Sequence, residues 1–234
     1  MHIKHYTDPQ ATALALAEEV FIRGSQQGHP IRIAISGGST PRLLFELLAT
    51  PEISEHIRWE HIRLYWVDER CVPPTDEQSN YGMTEAALLS HVPLDGAFVY
   101  RIHGENDPEH EAERYTSLVR SSLSASSEGL PVFDYILLGI GDDGHTSSIF
   151  PHQMELLIET TPYAVATHPS GQRRIALTGP TILAARHVIF HAVGQGKCHI
   201  LQQIRDNAPE AEAYPAAYFF KARADIQLYT DQSL

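Results

Sequence analysis

A histidine in a loop of glycines and carboxylates is the residue whose setting best suits acid–base chemistry. His145 follows Gly141-Asp142-Asp143-Gly144, just after an apolar run that ends near Ile140. An imidazole that a carboxylate orients is a common general base near neutral pH. The sequence therefore predicts His145 as a general base, oriented by Asp142 or by Asp143.

The same loop contains the spacing G-x-G-x-x-G, which binds dinucleotides in other proteins when it joins a strand to a helix. Asp142 and Asp143 would repel a pyrophosphate, and Pro151 would interrupt the long helix that should follow the third glycine. We therefore expect no dinucleotide here and no cofactor elsewhere in the chain.

A second candidate site, for an anion, is Ser36-Gly37-Gly38-Ser39-Thr40-Pro41. The glycines let the backbone approach a ligand, Ser39 or Thr40 can cap the next helix, and Pro41 suits its first turn. Free N–H groups at such a helix start can bind phosphate. The nucleoside triphosphate motif GxxxxGK[ST] is absent. The alternative is an ordinary capped turn between a strand and a helix.

Three cations could attract an anionic ligand to this site. Asp68-Glu69-Arg70 ends an apolar run, and Arg70 offers a planar fork that fits two phosphate oxygens. Lys197 follows Gly194 near the start of a predicted helix, where the helix dipole disfavours a cation, and this position indicates a function. Arg174 is the third cation. The two carboxylates beside Arg70 could hold a polar substrate, or the cluster could be a solvated surface ion pair.

The chain contains fourteen histidines, and histidine is a common metal ligand. Their spacing indicates whether they could bind a metal ion together. Only His187 and His191 are spaced i, i+4 within one predicted segment, a strand without the HExxH pattern. We therefore expect no metal ion. GxSxG is also absent, so the sequence does not support a serine hydrolase of the α/β class.

Composition narrows the class of protein further. The 234 residues include 29 acidic and 17 basic side chains, a net charge of −12 that repels nucleic acid and anionic membrane surfaces. The two cysteines, Cys71 and Cys198, lie far apart, which fits a reducing compartment, so we expect a cytoplasmic protein. Acidic residues interrupt the first apolar stretch, which argues against a secretory signal, and we expect no membrane-spanning segment.

Short apolar runs alternate with helical periodicity along the chain. The predicted strands cover residues 31–35, 62–67, 97–102, 133–140, 163–167 and 187–193. After a first helix that contains Leu14 to Phe21, the predicted helices cover residues 41–49, 79–90, 108–126 and 196–206. This pattern indicates a three-layer α/β/α sandwich around a mostly parallel, Rossmann-like sheet. Ligands bind beyond the carboxyl ends of such strands, and no linker divides the chain, so we predict a single domain over residues 1–234.

Taken in order, the motifs resemble those of the 6-phosphogluconolactonases. The match spans about residues 30 to 200 and includes Ser36-Gly-Gly-Ser-Thr-Pro41, Trp66-Val-Asp-Glu-Arg70, Ser79-Asn80-Tyr81, Leu138-Gly-Ile-Gly-Asp-Asp-Gly-His-Thr146 to Pro151, Arg174-Ile-Ala-Leu-Thr178 and Gly194-Gln-Gly-Lys197. The segment Tyr214 to Tyr218 departs from the usual Leu-Pro-Ala-Ser of that family.

Glucosamine-6-phosphate deaminases belong to the same superfamily and share the glycine loop, an Asp-Glu pair and an Asp-Gly-His loop. Their histidine loop resembles Asp-Gly-His-Ile-Ala-Phe-Asn-Glu-Pro, whose glutamate works with the histidine on the sugar ring. Residues 145–151 of this chain contain no acid. The resemblance is therefore to the lactonase form.

The resemblance implies hydrolysis of 6-phosphoglucono-1,5-lactone to 6-phosphogluconate in the oxidative pentose phosphate pathway, with His145 as the base. The residues that would bind the substrate and its phosphate are Gly37, Gly38, Ser39, Thr40, Asp68, Arg70, Arg174 and Lys197. Two alternatives remain, a phosphosugar deaminase or isomerase and a sugar-phosphate-binding protein without catalysis. In each case we expect a small phosphosugar ligand, no nucleic acid or membrane partner, and a monomer or small homo-oligomer.

Overall fold

The computed structural model describes residues 1–234. The strands are β1 His2–His5, β2 Ile31–Ile35, β3 Ile62–Trp66, β4 Asp68–Arg70, β5 Val99–Tyr100, β6 Ser124–Ala125, β7 Pro131–Val132, β8 Tyr135–Leu138, β9 Tyr163–Thr167, β10 Arg173–Leu177, β11 His187–His191 and β12 Gln227–Thr230. The helices are α1 Pro9–Leu16, which continues as a π-helix over Ala17–Arg23, α2 Ser39–Leu48, α3 Pro51–Ser54, α4 Asn80–Ala87, α5 Pro108–Ser122, α6 Gly179–Ala184, α7 Cys198–Arg205 and α8 Pro215–Ala222.

Seven strands form a central sheet in the order β1-β12-β11-β8-β2-β3-β5, and every neighbouring pair is parallel. The inner strands β2, β3, β8 and β11 are the apolar runs that the sequence singles out, and they are buried almost throughout. Helices flank this sheet, so the predicted α/β class with a mostly parallel sheet is confirmed. No helix is both long enough and apolar enough to cross a membrane.

A second, antiparallel sheet of three strands, in the order β4-β10-β9, stands apart from the central sheet. The segment 163–167 is a strand as predicted, but it belongs to this small sheet and not to the parallel one. β10 places Arg174 directly opposite Arg70 of β4. The sequence does not reveal this sheet, because β4 has only three residues, all charged, and β10 begins with two arginines.

The sequence also misses the two outer strands on one side of the central sheet. β1 reads His-Ile-Lys-His and is largely exposed, so it has no apolar run to mark it. Its four residues pair with Gln227 to Thr230 of β12. Polar strands of this kind are common where a strand has only one neighbour and one face in water.

Three buried aromatic residues fix the small sheet against the central one. The Tyr163 hydroxyl donates to the Trp66 carbonyl oxygen at 2.7 Å, and the Trp66 N–H donates to the Tyr115 hydroxyl at 3.1 Å. The rings of Tyr115 and Tyr163 meet edge to face, with centroids 4.7 Å apart. Because β4 follows Trp66 within two residues, these contacts also set the position of the candidate site residues Asp68 and Arg70.

A continuous core of 57 buried residues extends through both sheets and supports our proposal of one domain.

Candidate active site

A polar cleft lies at the carboxyl ends of β2, β8 and β11. Its volume is about 220 Å³, and only two of its twenty lining residues are hydrophobic, so it suits a small polar ligand. The lining includes Ser36 to Pro41, Asp68, Arg70, Asn80, Gly139 to Gly141, His145 to Ser148, Arg174, His191, Ala192 and Lys197. Of the residues predicted as catalytic or binding residues, all but Asp142 and Asp143 form part of this lining, and these two aspartates contact the lining residues Lys197 and His145.

The loop between β2 and α2 approaches the cleft through its backbone. Gly38 is the N-cap of α2 with a φ of 111°, a conformation that favours glycine, and its carbonyl oxygen accepts the Arg42 N–H at 3.1 Å. No side chain caps the helix, so the prediction that Ser39 or Thr40 does so is wrong. Both residues lie instead in the first turn and line the cleft.

Gly37 makes close contact with Asn80 possible. A Cβ at Gly37 would lie 1.7 Å from Asn80 Oδ1, a distance that no real contact allows. Asn80 is the first residue of α4, and Ser79 caps that helix by accepting the Gly82 N–H at 3.0 Å. The glycine is therefore required for packing as well as for access to a ligand.

The catalytic candidate His145 is held by Asp143, two residues before it in the chain. Asp143 Oδ1 lies 2.5 Å from His145 Nδ1 and also accepts the His145 N–H at 3.1 Å. A Cβ at Gly141 would lie 2.1 Å from two atoms of the imidazole, so the ring rests on the backbone of that glycine. Residues 145–153 form turns and no helix. The long helix that follows the glycines of a dinucleotide-binding loop is therefore not present here.

The charge on His145 controls the protonation of its partner. Burial raises the pKa of Asp143, but hydrogen bonds from His145 and the positive charge of its ring outweigh this effect and lower the pKa to about 2. Asp143 is therefore a carboxylate throughout the neutral range. A carboxylate on Nδ1 fixes the tautomer with the proton on that nitrogen and leaves Nε2 as the basic atom.

Asp142 faces a different partner from Asp143. Its Oδ1 accepts a hydrogen bond from Lys197 Nζ at 2.5 Å, and the aspartate side chain is mostly exposed. Of the two candidates for orienting His145, the structure thus places Asp143 on the imidazole and Asp142 on a cation of the anion site. Gly194, with a φ of 91°, starts the turn that brings Lys197 to the cleft.

Tyr214 supports the back of the histidine loop. Gly144 has a φ of 80°, and a Cβ there would lie 2.5 Å from Tyr214 Cβ. The Gly144 carbonyl oxygen accepts the Ala216 N–H at 3.0 Å. The segment that departs from the lactonase pattern therefore packs directly behind the candidate base.

Arg70 and Arg174 face the cleft side by side from the small sheet. Arg174 lies over the Phe150 ring, 5.4 Å from its centroid, and donates to Ser148 Oγ at 3.2 Å. Burial lowers the pKa of Arg174, while the nearby charge of Asp68 acts in the opposite direction. The positive charge of Arg70 also lowers the pKa of Arg174, so the two guanidinium groups repel each other and the pair is suited to an anion that would lie between them.

Asp68 connects these arginines to the rest of the site. Its Oδ2 accepts the Ser148 hydroxyl, and its Oδ1 accepts Asn80 Nδ2 at 3.2 Å. Both oxygens are thus engaged within the protein, and through Ser148 the carboxylate reaches Arg174. Asp68 thus balances the charge of the cations. It also lines the cleft, and its direct contact with a substrate stays a prediction.

Glu69 does not lie in the cleft, so the expectation that both carboxylates hold a substrate is wrong for this residue. Its two oxygens accept four hydrogen bonds, from the Ser79 hydroxyl and from the N–H groups of Arg70, Asn80 and Tyr81. The side chain is buried, and it fixes the start of α4 against β4. Side chains alternate along a strand, so Asp68 and Arg70 face the cleft while Glu69 faces the other way.

The cleft residues to which the sequence assigns no catalytic or binding role include Asn80, Thr146, Ser148 and His191. Asn80 and Ser148 occur within the quoted motifs, but nothing in their spacing shows that they meet Asp68. His191 was considered only as a metal ligand with His187; it is buried at the cleft, whereas His187 is exposed at the other end of β11. The end of a buried strand, beside the glycine loop, is the signal that could have found it.

Fold and cleft define an α/β protein with a cation-lined binding site at the carboxyl edge of a parallel sheet. Residues 7–228 match the family described as glucosamine-6-phosphate isomerases/6-phosphogluconolactonase. The chain belongs to this family.

Individual relatives distinguish the two branches of the family. The 6-phosphogluconolactonase of Aggregatibacter actinomycetemcomitans is 41% identical over 93% of this chain and 91% of its own length. The crystal structure of the devB protein has a TM-score of 0.92 and 39% identity, covering 98% of this chain and 95% of that one. A monomeric glucosamine-6-phosphate deaminase has a TM-score of 0.82 but only 18% identity, covering 99% and 98%, and shares the fold alone.

Proposed function

We propose that this protein hydrolyses 6-phospho-D-glucono-1,5-lactone to 6-phospho-D-gluconate in the oxidative pentose phosphate pathway. The observation that supports this function most directly is the pair of Asp143 and His145, joined at 2.5 Å, beside a cleft that three cations line. The name of the 41% identical relative agrees with this chemistry. Lactone hydrolysis needs a positioned water and one base, and the site offers both a base and a way to hold a phosphate.

In the proposed reaction His145 acts through Nε2. This atom takes a proton from a water molecule as the water oxygen attacks the lactone carbonyl carbon, and a tetrahedral intermediate forms. The intermediate collapses by breaking the bond to the ring oxygen, which receives the proton back from the imidazolium. Asp143 keeps the ring in the correct tautomer and stabilises its charged form. The product is the open-chain acid, and no covalent enzyme intermediate forms.

The phosphate of the substrate binds among the cations that line the cleft in this proposal. Arg70, Arg174 and Lys197 supply positive charge, and Ser39 and Thr40 offer hydroxyl and N–H groups at the start of α2. The backbone of Gly37 and Gly38 lies beside the same anion. In a protein with a net charge of −12, these groups provide the local attraction that a phosphorylated ligand requires.

The deaminase alternative lacks a group that its chemistry needs. Ring opening and proton transfer on an amino sugar use several acid–base groups, and residues 145–151 contain no carboxylate. Asp68, the one carboxylate that lines the cleft, accepts hydrogen bonds from Asn80 and Ser148. A purely binding protein has no use for the oriented base at His145.

The test of the proposed function is to supply both substrates to the purified protein. We expect it to accelerate loss of the lactone above the spontaneous rate and to release no ammonia from glucosamine 6-phosphate. Ammonia release at a rate comparable to lactone hydrolysis would overturn the proposal in favour of a deaminase. Lactone loss at only the spontaneous rate would leave a binding protein.

We further propose a cytoplasmic location for this enzyme. Cys71 and Cys198 are both free and partly buried, as is usual in a reducing compartment. Burial raises the pKa of the Cys71 thiol to about 11, which makes it a poor nucleophile at neutral pH. Fluorescence imaging of the tagged protein in its native cell tests this location.

A further inference from the structure

Four buried side-chain atoms in the cleft have no hydrogen-bond partner within the protein. They are Arg70 Nε, Asn80 Oδ1, Thr146 Oγ1 and His191 Nε2. Asn80 and Thr146 are each 1% exposed and His191 is 4% exposed, so bulk water does not reach these side chains freely. Buried polar groups in native proteins are almost always paired, and a cluster of unpaired ones in a cleft indicates where ligand atoms bind.

The orientation of the Asn80 amide is determined by its surroundings. Its Nδ2 donates to the Asp68 carbonyl oxygen at 2.8 Å and to Asp68 Oδ1 at 3.2 Å. Both partners are acceptors, so the nitrogen must face them and Oδ1 must lie on the other side, next to Gly37. This oxygen can only accept a hydrogen bond. The dianionic phosphate group of a sugar phosphate has no proton to donate to it, whereas a sugar hydroxyl group has one.

His191 and Thr146 add groups that both donate and accept. Burial lowers the pKa of His191 to about 4, so the imidazole is neutral at neutral pH and does not belong with the cations. A neutral imidazole has one donor nitrogen and one acceptor nitrogen, and a threonine hydroxyl serves in both ways. Hydroxyl groups of a ligand have the same dual character.

We propose that Asn80, Thr146 and His191 form an uncharged subsite that binds the hydroxyl groups of a polyhydroxylated ligand, beside the cations that bind its phosphate. This inference deepens the proposed function and rests on it, because the subsite lies in the same cleft. A ligand of matching charge without hydroxyl groups leaves the three atoms unpaired. The subsite therefore makes the cleft specific for a phosphosugar over a simple phosphate.

The test uses two variants in the cleft and one matched control outside it. Thr146→Val and His191→Leu remove the polar atoms at nearly constant volume. Thr181→Val is the control, because Thr181 is also fully buried with an unpaired Oγ1 but lies in α6, away from the cleft. Calorimetry measures binding of 6-phosphogluconate and of inorganic phosphate to each protein, and thermal unfolding confirms that each variant is folded.

We expect Thr146→Val and His191→Leu each to weaken 6-phosphogluconate binding about tenfold, since a hydroxyl group of the ligand loses its partner. Binding of inorganic phosphate should change by less than about twofold, and Thr181→Val should change neither affinity. Thermal stability should stay the same or rise in all three variants, because each loses an unpaired buried polar group.

Two results would overturn the subsite. One is unchanged 6-phosphogluconate binding in both folded cleft variants. The other is an equal loss of affinity for inorganic phosphate, which would show that these residues only support the cations. The proposed function is judged separately by lactone hydrolysis in the parent protein, because calorimetry with the product does not depend on catalysis.

Discussion

Asp142 and Asp143 are neighbours in the chain, yet their carboxylates contact different groups of the site. One binds Lys197 and the other binds His145, each at 2.5 Å. Sequence reasoning found the histidine and both acids, but the direction of each carboxylate depends on how Gly141 and Gly144 bend the loop, and a sequence motif does not specify that bend. The sequence likewise identifies Asp68 as a residue of the site but not its hydrogen bonds to Asn80 and Ser148.

His145→Asn tests the base directly. Asparagine retains similar size and some hydrogen bonding but cannot take a proton, so we expect kcat for the lactone to fall by roughly 10²–10⁴. Affinity for 6-phosphogluconate should change little, because the phosphate binds elsewhere. Steady-state kinetics corrected for spontaneous hydrolysis measures the first effect and calorimetry the second. Near-normal turnover in a folded variant would remove His145 from the mechanism.

Asp143→Asn should slow the chemical step of the reaction. Asp143 Oδ1 lies 2.5 Å from His145 Nδ1, so without the carboxylate the imidazole is no longer held in one tautomer. We expect kcat for the lactone to fall about tenfold or more, measured by steady-state kinetics. Asp142→Asn is the matched control, because Asp142 pairs with Lys197 and not with His145, and it should leave kcat within about twofold. An unchanged kcat in folded Asp143→Asn would refute the orienting role.

The phosphate site predicts a loss of binding that depends on the phosphate of the ligand. Arg70→Ala and Lys197→Ala should each raise KM for the lactone by roughly 10- to 100-fold, which corresponds to about 1.5–3 kcal/mol for a charge-assisted hydrogen bond. Arg173→Ala is the control, because this arginine precedes Arg174 in β10 but pairs with Glu109 outside the cleft. Gluconolactone without phosphate should be almost insensitive to all three changes. Equal use of both lactones by the parent protein would contradict the phosphate site.

The order of secondary structure was predictable where apolar runs mark buried strands. β2, β3, β8 and β11 are such runs, and the helices between them were placed to within a few residues. The small sheet was not predictable, because β4 and β10 owe their pairing to distant contacts such as the Tyr163–Trp66 hydrogen bond. This sheet supplies Arg70 and Arg174. The sequence therefore identifies both cations but not the strands that place them side by side.

Gly37→Ala tests the packing of the β2–α2 loop on α4. The new Cβ would lie 1.7 Å from Asn80 Oδ1, so either the loop or Asn80 must move. We expect lactonase activity to fall at least tenfold, together with a loss of stability of about 1–3 kcal/mol, as is usual for overpacking. Gly96→Ala is the control, because nothing lies within 4 Å of its added Cβ. Denaturant unfolding and steady-state kinetics check both variants, and equal behaviour of the two would contradict the packing argument.

The charge of the protein and the charge of its cleft have opposite signs. A net charge of −12 is spread over the molecule, while Arg70, Arg174 and Lys197 gather at one edge of the sheet. The net charge alone therefore predicts that the protein binds no nucleic acid, and the residues at the ends of the strands predict a phosphate ligand. The first prediction rests on counts of side chains, whereas the phosphate site needs the fold to bring residues 36–41, 70, 174 and 197 together.

Treatment with a chelator tests the expectation that no metal takes part in the reaction. No three His, Cys, Asp or Glu side chains are grouped so that they could hold an ion. We expect kcat for the lactone to remain within about twofold after dialysis against EDTA, since the base is His145 and not a metal-bound water. Loss of activity that zinc or magnesium restores would show a metal-dependent mechanism.

The strand order also determines how long β2 lacks one of its partner strands while the chain is being synthesised. β2 needs β8, and the Ser36 hydroxyl reaches the Leu137 carbonyl oxygen across 101 residues of sequence. At roughly 5–20 residues per second of synthesis, the apolar strand β2 waits on the order of 5–20 s before β8 leaves the ribosome. During that interval β2 has β3 as its only strand partner, and its other edge is open to other chains. The risk of aggregation is therefore greatest during synthesis, when chaperones would bind the incomplete chain.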